Sequence, residues 1–182
     1  HCEPEINMIE RDLELLKSVG GNLHICHVSQ KESVELIRDA KKDGLKITCE
    51  VTPHHLITFG LDYIVHPPFR EKKDTKALLE GLLDGTIDII ATDHAPHNDE
   101  DKLKGARGLI GLEHAFSLVY TLFKENNLDI KLLSKFMSGR PSMLLGIPKT
   151  KFCKKTDANF VLVNLDKKYT ISDHNLYSKS RN

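Results

Sequence analysis

The sequence predicts an α/β fold in which parallel strands alternate with helical crossovers. The chain has 182 residues, and its pattern runs helix, strand, helix, strand, helix, strand, helix. That spacing implies parallel strands joined by helices. Two strand-like runs, Leu23-His24-Ile25-Cys26-His27-Val28 and Ile87-Asp88-Ile89-Ile90-Ala91-Thr92, deliver metal-capable groups at their C-terminal ends, His27 and Asp93. No G-x-G-x-x-G follows any strand, which lowers a dinucleotide-binding reading. A doubly wound sheet and a piece of a (β/α)8 barrel both fit. A whole barrel needs about 250 residues, and three strands cannot close one.

Each element has a local reason. Pro4 suits a first helical turn, Ile6, Ile9, Leu13 and Leu16 share one face, and Gly20 can end that helix. After strand 23–28, Ser29-Gln30-Lys31-Glu32 is a capping-box pattern for a helix to Asp43, stopped by Gly44. A strand over 46–52 follows, then an irregular stretch, 53–73, with Pro53, Pro67 and Pro68. Asp74 can cap the next helix, whose Leu78, Leu79, Leu82 and Leu83 face the core, and Gly85 ends it. Strand 87–92 leads into a long loop, 93–110. Leu112, Ala115, Phe116, Val119, Leu122 and Phe123 make an amphipathic helix. Shorter helices are expected near 130–138 and 141–145. Phe160-Val161-Leu162-Val163 reads as a strand of a small separate β unit.

The bulk numbers exclude several classes. The chain is 40% hydrophobic with a formal net charge of +0, enough for one soluble domain with a core. Balanced charge argues against nucleic-acid binding, which needs a basic stripe. No apolar stretch approaches the roughly 18 residues of a membrane span. The four cysteines, Cys2, Cys26, Cys49 and Cys153, form no C-x-x-C pair. They read as free thiols of a reducing cytoplasm. The opening His1-Cys2-Glu3, without Met or lead-in, reads as part of a longer chain.

Chemistry concentrates at the strand ends. A lone His27 could be a satisfied core or cap residue, and Asp93 could be an N-cap of the segment after it. Taken together at the ends of parallel strands, they point into one mouth, as a barrel-type zinc site is assembled. Asp93 could then both bind metal and accept a proton from water. Thr52-Pro53-His54-His55 ends the middle strand; support is favoured there over ligation, with at most one histidine facing the site. Glu50 lies opposite Cys49 in that strand and could orient a histidine ligand. In His66-Pro67-Pro68-Phe69-Arg70 the double proline could aim His66 and Arg70. Arg70 is then a surface charge or a clamp for an anionic substrate or another loop. The loop with Gly105, Gly108 and Gly111 suits either a mobile lid or a solvated linker.

HICHVS at 24–29, CEVTPHHL at 49–56, HPPFR at 66–70, GTIDIIATDHAPH at 85–97 and GLIGLEHAF at 108–116 occur in the order found in dihydroorotases of the cyclic amidohydrolase superfamily, which the chain resembles from His1 to about Gly146. The combination of TPHHL with ATDHAPH is specific; hydantoinases and allantoinases share the architecture but usually differ there. The resemblance implies the second half of a (β/α)8 TIM-type metallohydrolase barrel over 1–148, with part of a small β-sandwich unit over 149–182. It implies a binuclear zinc centre and metal-activated water attacking a ring amide carbonyl. The reaction would interconvert dihydroorotate and N-carbamoyl-aspartate in pyrimidine synthesis. His1, His27 and Asp93 resemble metal ligands, Asp93 also the catalytic base, and His66, His97 and Gly108 substrate contacts.

The same resemblance implies a cytoplasmic homodimer with a small-molecule substrate, and association with aspartate carbamoyltransferase. The family's H-x-H pair and bridging carboxylate or carboxylated lysine are absent, so the chain alone is expected to be inactive. Position 66, usually Asn in an N-P-P motif, is His, and the stretch from His1 to His27 is short. The rival readings are a non-catalytic assembly partner and a related hydantoinase- or allantoinase-type enzyme.

Overall fold

A computed structural model of the protein describes residues 4–148 and 153–182. Helix α1 spans Pro4–Val19, strand β1 Leu23–Ile25, α2 Lys31–Lys42, β2 Ile47–Val51, α3 Pro53–Ile57, α4 Lys72–Asp84 and β3 Ile89–Ile90. Then come α5 Asp99–Leu103, α6 Ala115–Glu125, α7 Lys131–Ser134, a π-helical turn Lys135–Gly139, α8 Arg140–Leu144 and a short 3-10 turn Asp173–Asn175.

The three strands form one parallel sheet in the order β1-β2-β3, with Leu23 opposite Ile47 and Glu50 opposite Ile89. The expected neighbours are therefore present, as shorter strands. Single bonds carry the pairing past the regular ladder: Val28 N–H donates to the Glu50 carbonyl at 2.9 Å and Ala91 N–H to that of Val51 at 3.1 Å.

Period two along β2 sorts its side chains. Ile47, Cys49 and Val51 are buried, while Thr48 and Glu50 share the other, more open face with His24. Burial pushes the Cys49 thiol up to about 12, which leaves it inert. Cys26, Cys49 and Cys153 are free thiols, as expected; Cys2 lies outside the described residues.

Helices cover the first face. Ile9, Leu13 and Leu16 of α1, Val34 and Ile37 of α2, and Leu78 and Leu82 of α4 join one core with Val119, Phe123 and Phe136. Leu83, expected in that core, is exposed, as is Leu112, which precedes α6 rather than opening it. Gly81 permits the close approach of α4 to α2, since a Cβ there would lie 2.8 Å from Val34 Cγ1.

Two helix starts differ from expectation for one reason: a better partner elsewhere. Ser29 does not cap α2; its hydroxyl donates to Glu5 of α1 and accepts from Arg70 Nε at 3.0 Å. The start of α2 is held instead by Asp74, whose Oδ1 accepts Lys31 N–H at 2.9 Å. Asp74 is not the N-cap of α4 but its third residue, and Oδ2 accepts the N–H of the cap, Glu71, at 3.0 Å. One buried carboxylate thus closes two helices.

The strand expected at 160–163 does not form; those residues are irregular and exposed. An extended segment becomes a strand only where a neighbouring edge satisfies its backbone groups, and among the described residues none lies beside it. The segment is attached further along, where Tyr169 OH meets His114 Nδ1 at 3.1 Å and Ser117 Oγ at 2.7 Å. Among the described residues no helix is long and apolar enough to cross a membrane.

Candidate active site

His27 and Asp93 follow β1 and β3 at the same end of the parallel sheet. Both have left-handed backbone, with φ of 41° and 46°. Non-glycine residues rarely adopt that conformation, and it clusters at functional sites. Partial loss of water raises the Asp93 carboxyl above its ordinary value; His27 opposes the rise and Glu50 adds to it. Imidazole nitrogen and carboxylate oxygen at one rim form a donor set that suits a divalent ion such as zinc. His1 lies outside the described residues.

A second donor cluster escaped the sequence reading. His24 Nε2 lies 3.2 Å from Glu50 Oε2, and Nδ1 lies 2.8 Å from Thr48 Oγ1. With Cys26 Sγ, the nitrogen and the carboxylate oxygen fall within 4.8 Å of one another. Glu50 does orient a histidine, but the partner is His24 and not His27. The signal was available: positions 24 and 26 alternate onto one side of the apolar run 23–28, and Glu50 lies in the neighbouring run at the same period of two. Below it, a cleft of about 850 Å³ is lined by His24, Thr48, Glu50, Ile89, Pro141 and Met143.

His54 and His55 are not in an extended segment. Thr52 caps α3 by accepting His55 N–H at 3.1 Å, and Pro53 takes the first helical position. His55 Nδ1 lies 2.8 Å from Thr52 Oγ1, and Nε2 lies 2.9 Å from the Pro67 carbonyl. The Pro67 carbonyl requires a proton on Nε2, and the neutral ring then accepts the Thr52 hydroxyl at Nδ1. His55 is thus a strut between the strand end and the proline pair, as its supporting role anticipated. Burial lowers His55 to about 4 and His54 to about 3.

Those depressed values set a pH dependence. The folded state keeps both rings neutral, while the unfolded chain protonates them below about 6.5. Between there and about pH 4 the unfolded state binds more protons, so stability falls as pH drops. The His55 contribution is on the order of 2–3 kcal/mol by pH 4.5. Urea midpoints should decline from pH 7 to 4.5, and less steeply in His55→Gln; parallel profiles would contradict the assignment.

The predicted substrate contacts meet around Arg107. Its Nη1 lies 3.5 Å from His66 Nδ1, and its carbonyl accepts His97 Nε2–H at 2.9 Å. Gly108 is buried, with φ of 128°, and a Cβ there would meet Ala95 Cβ at 2.5 Å. Only glycine fits this close approach.

The loop between them is neither linker nor open lid. Ala95 N–H donates to the Leu109 carbonyl at 3.0 Å, closing the loop on itself. His94 Nδ1 accepts Gly111 N–H at 3.1 Å. Lys102 Nζ donates to the carbonyls of Ile64, Ala106 and Gly108 at 2.9–3.0 Å and sits 4.4 Å from the centre of the Tyr63 ring. Lys102 was missed because backbone carbonyls carry no residue-type signal. Arg70 clamps a loop: it bonds Ser29 and lies 3.5 Å from Glu5.

The chain is 45% identical over 178 residues to a dihydroorotase from Clostridium botulinum, a match covering 96% of this chain and 45% of that protein. The chain thus spans about half the length of the curated relatives it matches. An L-hydantoinase (dihydropyrimidinase) from Arthrobacter aurescens superposes with a TM-score of 0.71 at 31% identity, over 78% of this chain and 35% of that one. An inactive dihydroorotase-like domain of a CAD-like multifunctional protein from Chaetomium thermophilum shares the fold, with a TM-score of 0.63 at 23% identity over 78% of this chain and 42% of that one. The sequence profile of the amidohydrolase family matches residues 6–182, and the chain belongs to that family.

Proposed function

We propose that this chain forms the second half of a dihydroorotase, with residues 1–148 completing a (β/α)8 barrel and 149–182 belonging to a small β unit. The enzyme interconverts dihydroorotate and N-carbamoyl-aspartate in pyrimidine synthesis. The observation that carries the reading is the pairing of His27 and Asp93 at one rim in the same left-handed backbone state, within a sequence 45% identical to a dihydroorotase. His27 and Asp93 would hold zinc, with His1 as a further ligand and the remaining ligands supplied by a segment outside this chain. A bound divalent ion supplies Lewis acidity, which makes water a usable nucleophile near pH 7.

The residues of this chain do the rest. Asp93 takes the proton from the attacking water and returns it to the departing amide nitrogen. His97, His66 and the Gly108 backbone line the substrate side, with Arg107 joining their two loops. A homodimer in the cytoplasm, in contact with aspartate carbamoyltransferase, completes the proposal.

The inactive domain of shared fold keeps one rival open, a non-catalytic assembly partner. The hydantoinase neighbour keeps another, a different ring substrate. The deciding experiment assays this chain, alone and joined to a dihydroorotase N-terminal half, for dihydroorotate and hydantoin hydrolysis with zinc present. The expected result is no turnover alone and dihydroorotate turnover when joined. Turnover by the chain alone would show the ligands to be misassigned. Preference for hydantoin would move the substrate, and silence in both arms would favour the non-catalytic partner.

A further inference from the structure

We infer that Asn182 is a positioning residue, and that the strap 177–182 holds the two limbs of the 93–111 loop in register so that His97 and Gly108 face the substrate. Asn182 Nδ2–H donates to the Ala95 carbonyl at 2.9 Å and to the Gly108 carbonyl at 3.0 Å. Its Oδ1 accepts His97 N–H at 3.1 Å. Its backbone carbonyl accepts Ile110 N–H at 3.0 Å. One residue thus satisfies backbone groups at 95 and 97 on the outgoing limb and at 108 and 110 on the returning limb.

The chemistry is specific to an amide. Two carbonyls demand a donor, and one N–H demands an acceptor a short distance away. A planar carboxamide presents both at once, with both donor hydrogens used. The strap is also fixed at its far end. Glu113 accepts Tyr177 N–H at 2.7 Å and Ser178 N–H at 2.5 Å, and the Ser180 hydroxyl, with one proton to give, lies in hydrogen-bond contact with both the His97 carbonyl and Asn182 Oδ1. His97 is therefore held on three sides: N–H by Asn182, carbonyl by Ser180 and Nε2 by the Arg107 carbonyl. The role assigned to Asn182 rests on the proposed function in that His97 and Gly108 contact substrate; the strap itself does not.

Asn182→Asp is the diagnostic change. It keeps the size and the acceptor for His97 but turns a carboxylate against two carbonyl oxygens. Hydrogen exchange of this chain should show the His97 and Ile110 amides exchanging about ten-fold faster, as loss of roughly one hydrogen bond implies. Amides of α1 and α2 should be unchanged. In the joined enzyme, KM for dihydroorotate should rise about ten-fold, with kcat changed less. Lys179→Ala, on the exposed side of the strap, should leave both readouts alone. Unchanged loop exchange in Asn182→Asp, or faster exchange with an unchanged KM, overturns the positioning role. A joined wild-type enzyme without dihydroorotate activity would sink the functional reading instead, and exchange alone would then decide whether the strap holds the loop.

Discussion

Asp93→Asn in the joined enzyme is expected to lower kcat by about 10²–10⁴-fold, the usual contribution of a general base, and loss of a ligand charge should deepen the fall. The substitution preserves shape, and a carboxamide tolerates the left-handed backbone as well as a carboxylate does. Circular dichroism should therefore be unchanged. His54→Ala and His55→Ala should act differently, costing stability more than kcat, because both rings are buried and His55 bridges two backbone segments. Steady-state kinetics on the three variants separate the outcomes. A near-normal kcat in Asp93→Asn would refute the assigned base.

The largest effect on stability is expected at Asp74. Its carboxylate is 4% exposed and accepts one backbone N–H from each of two helix starts. Hydrogen bonds to a charged group contribute about 1.5–3 kcal/mol each. Asp74→Ala should therefore destabilise the chain by about 3–5 kcal/mol, read as a drop in the urea midpoint at unchanged slope. Asp74→Asn, with one acceptor oxygen left, should fall between. A loss under about 1 kcal/mol in Asp74→Ala would show that water replaces the carboxylate at both helix starts.

Periodicity exposed the strands and the main helices because burial on one face leaves a period in the chain. The rim residues His27 and Asp93 were readable for the same reason: a polar group directly after an apolar run marks where a strand leaves the core. Interactions between distant segments left no such trace. Ser29 reads as a cap until Glu5 and Arg70, remote in sequence, claim its hydroxyl. Helix α3 carried its own signal, Thr52 followed by Pro53, yet the surrounding prolines and its length of five residues made the region read as irregular. The loop 93–111 could not be told from a linker by composition, since what orders it is a lysine on backbone carbonyls and an asparagine some seventy positions away.

The left-handed backbone at His27 and Asp93 has an evolutionary consequence. Glycine would relieve the local strain at both positions at no steric cost. Drift under selection for stability alone would therefore carry glycine into 27 and 93 and erase the rim. In a lineage that dispensed with turnover, relief of local strain would favour glycine at both positions, offset in part by the greater entropy glycine gives the unfolded chain.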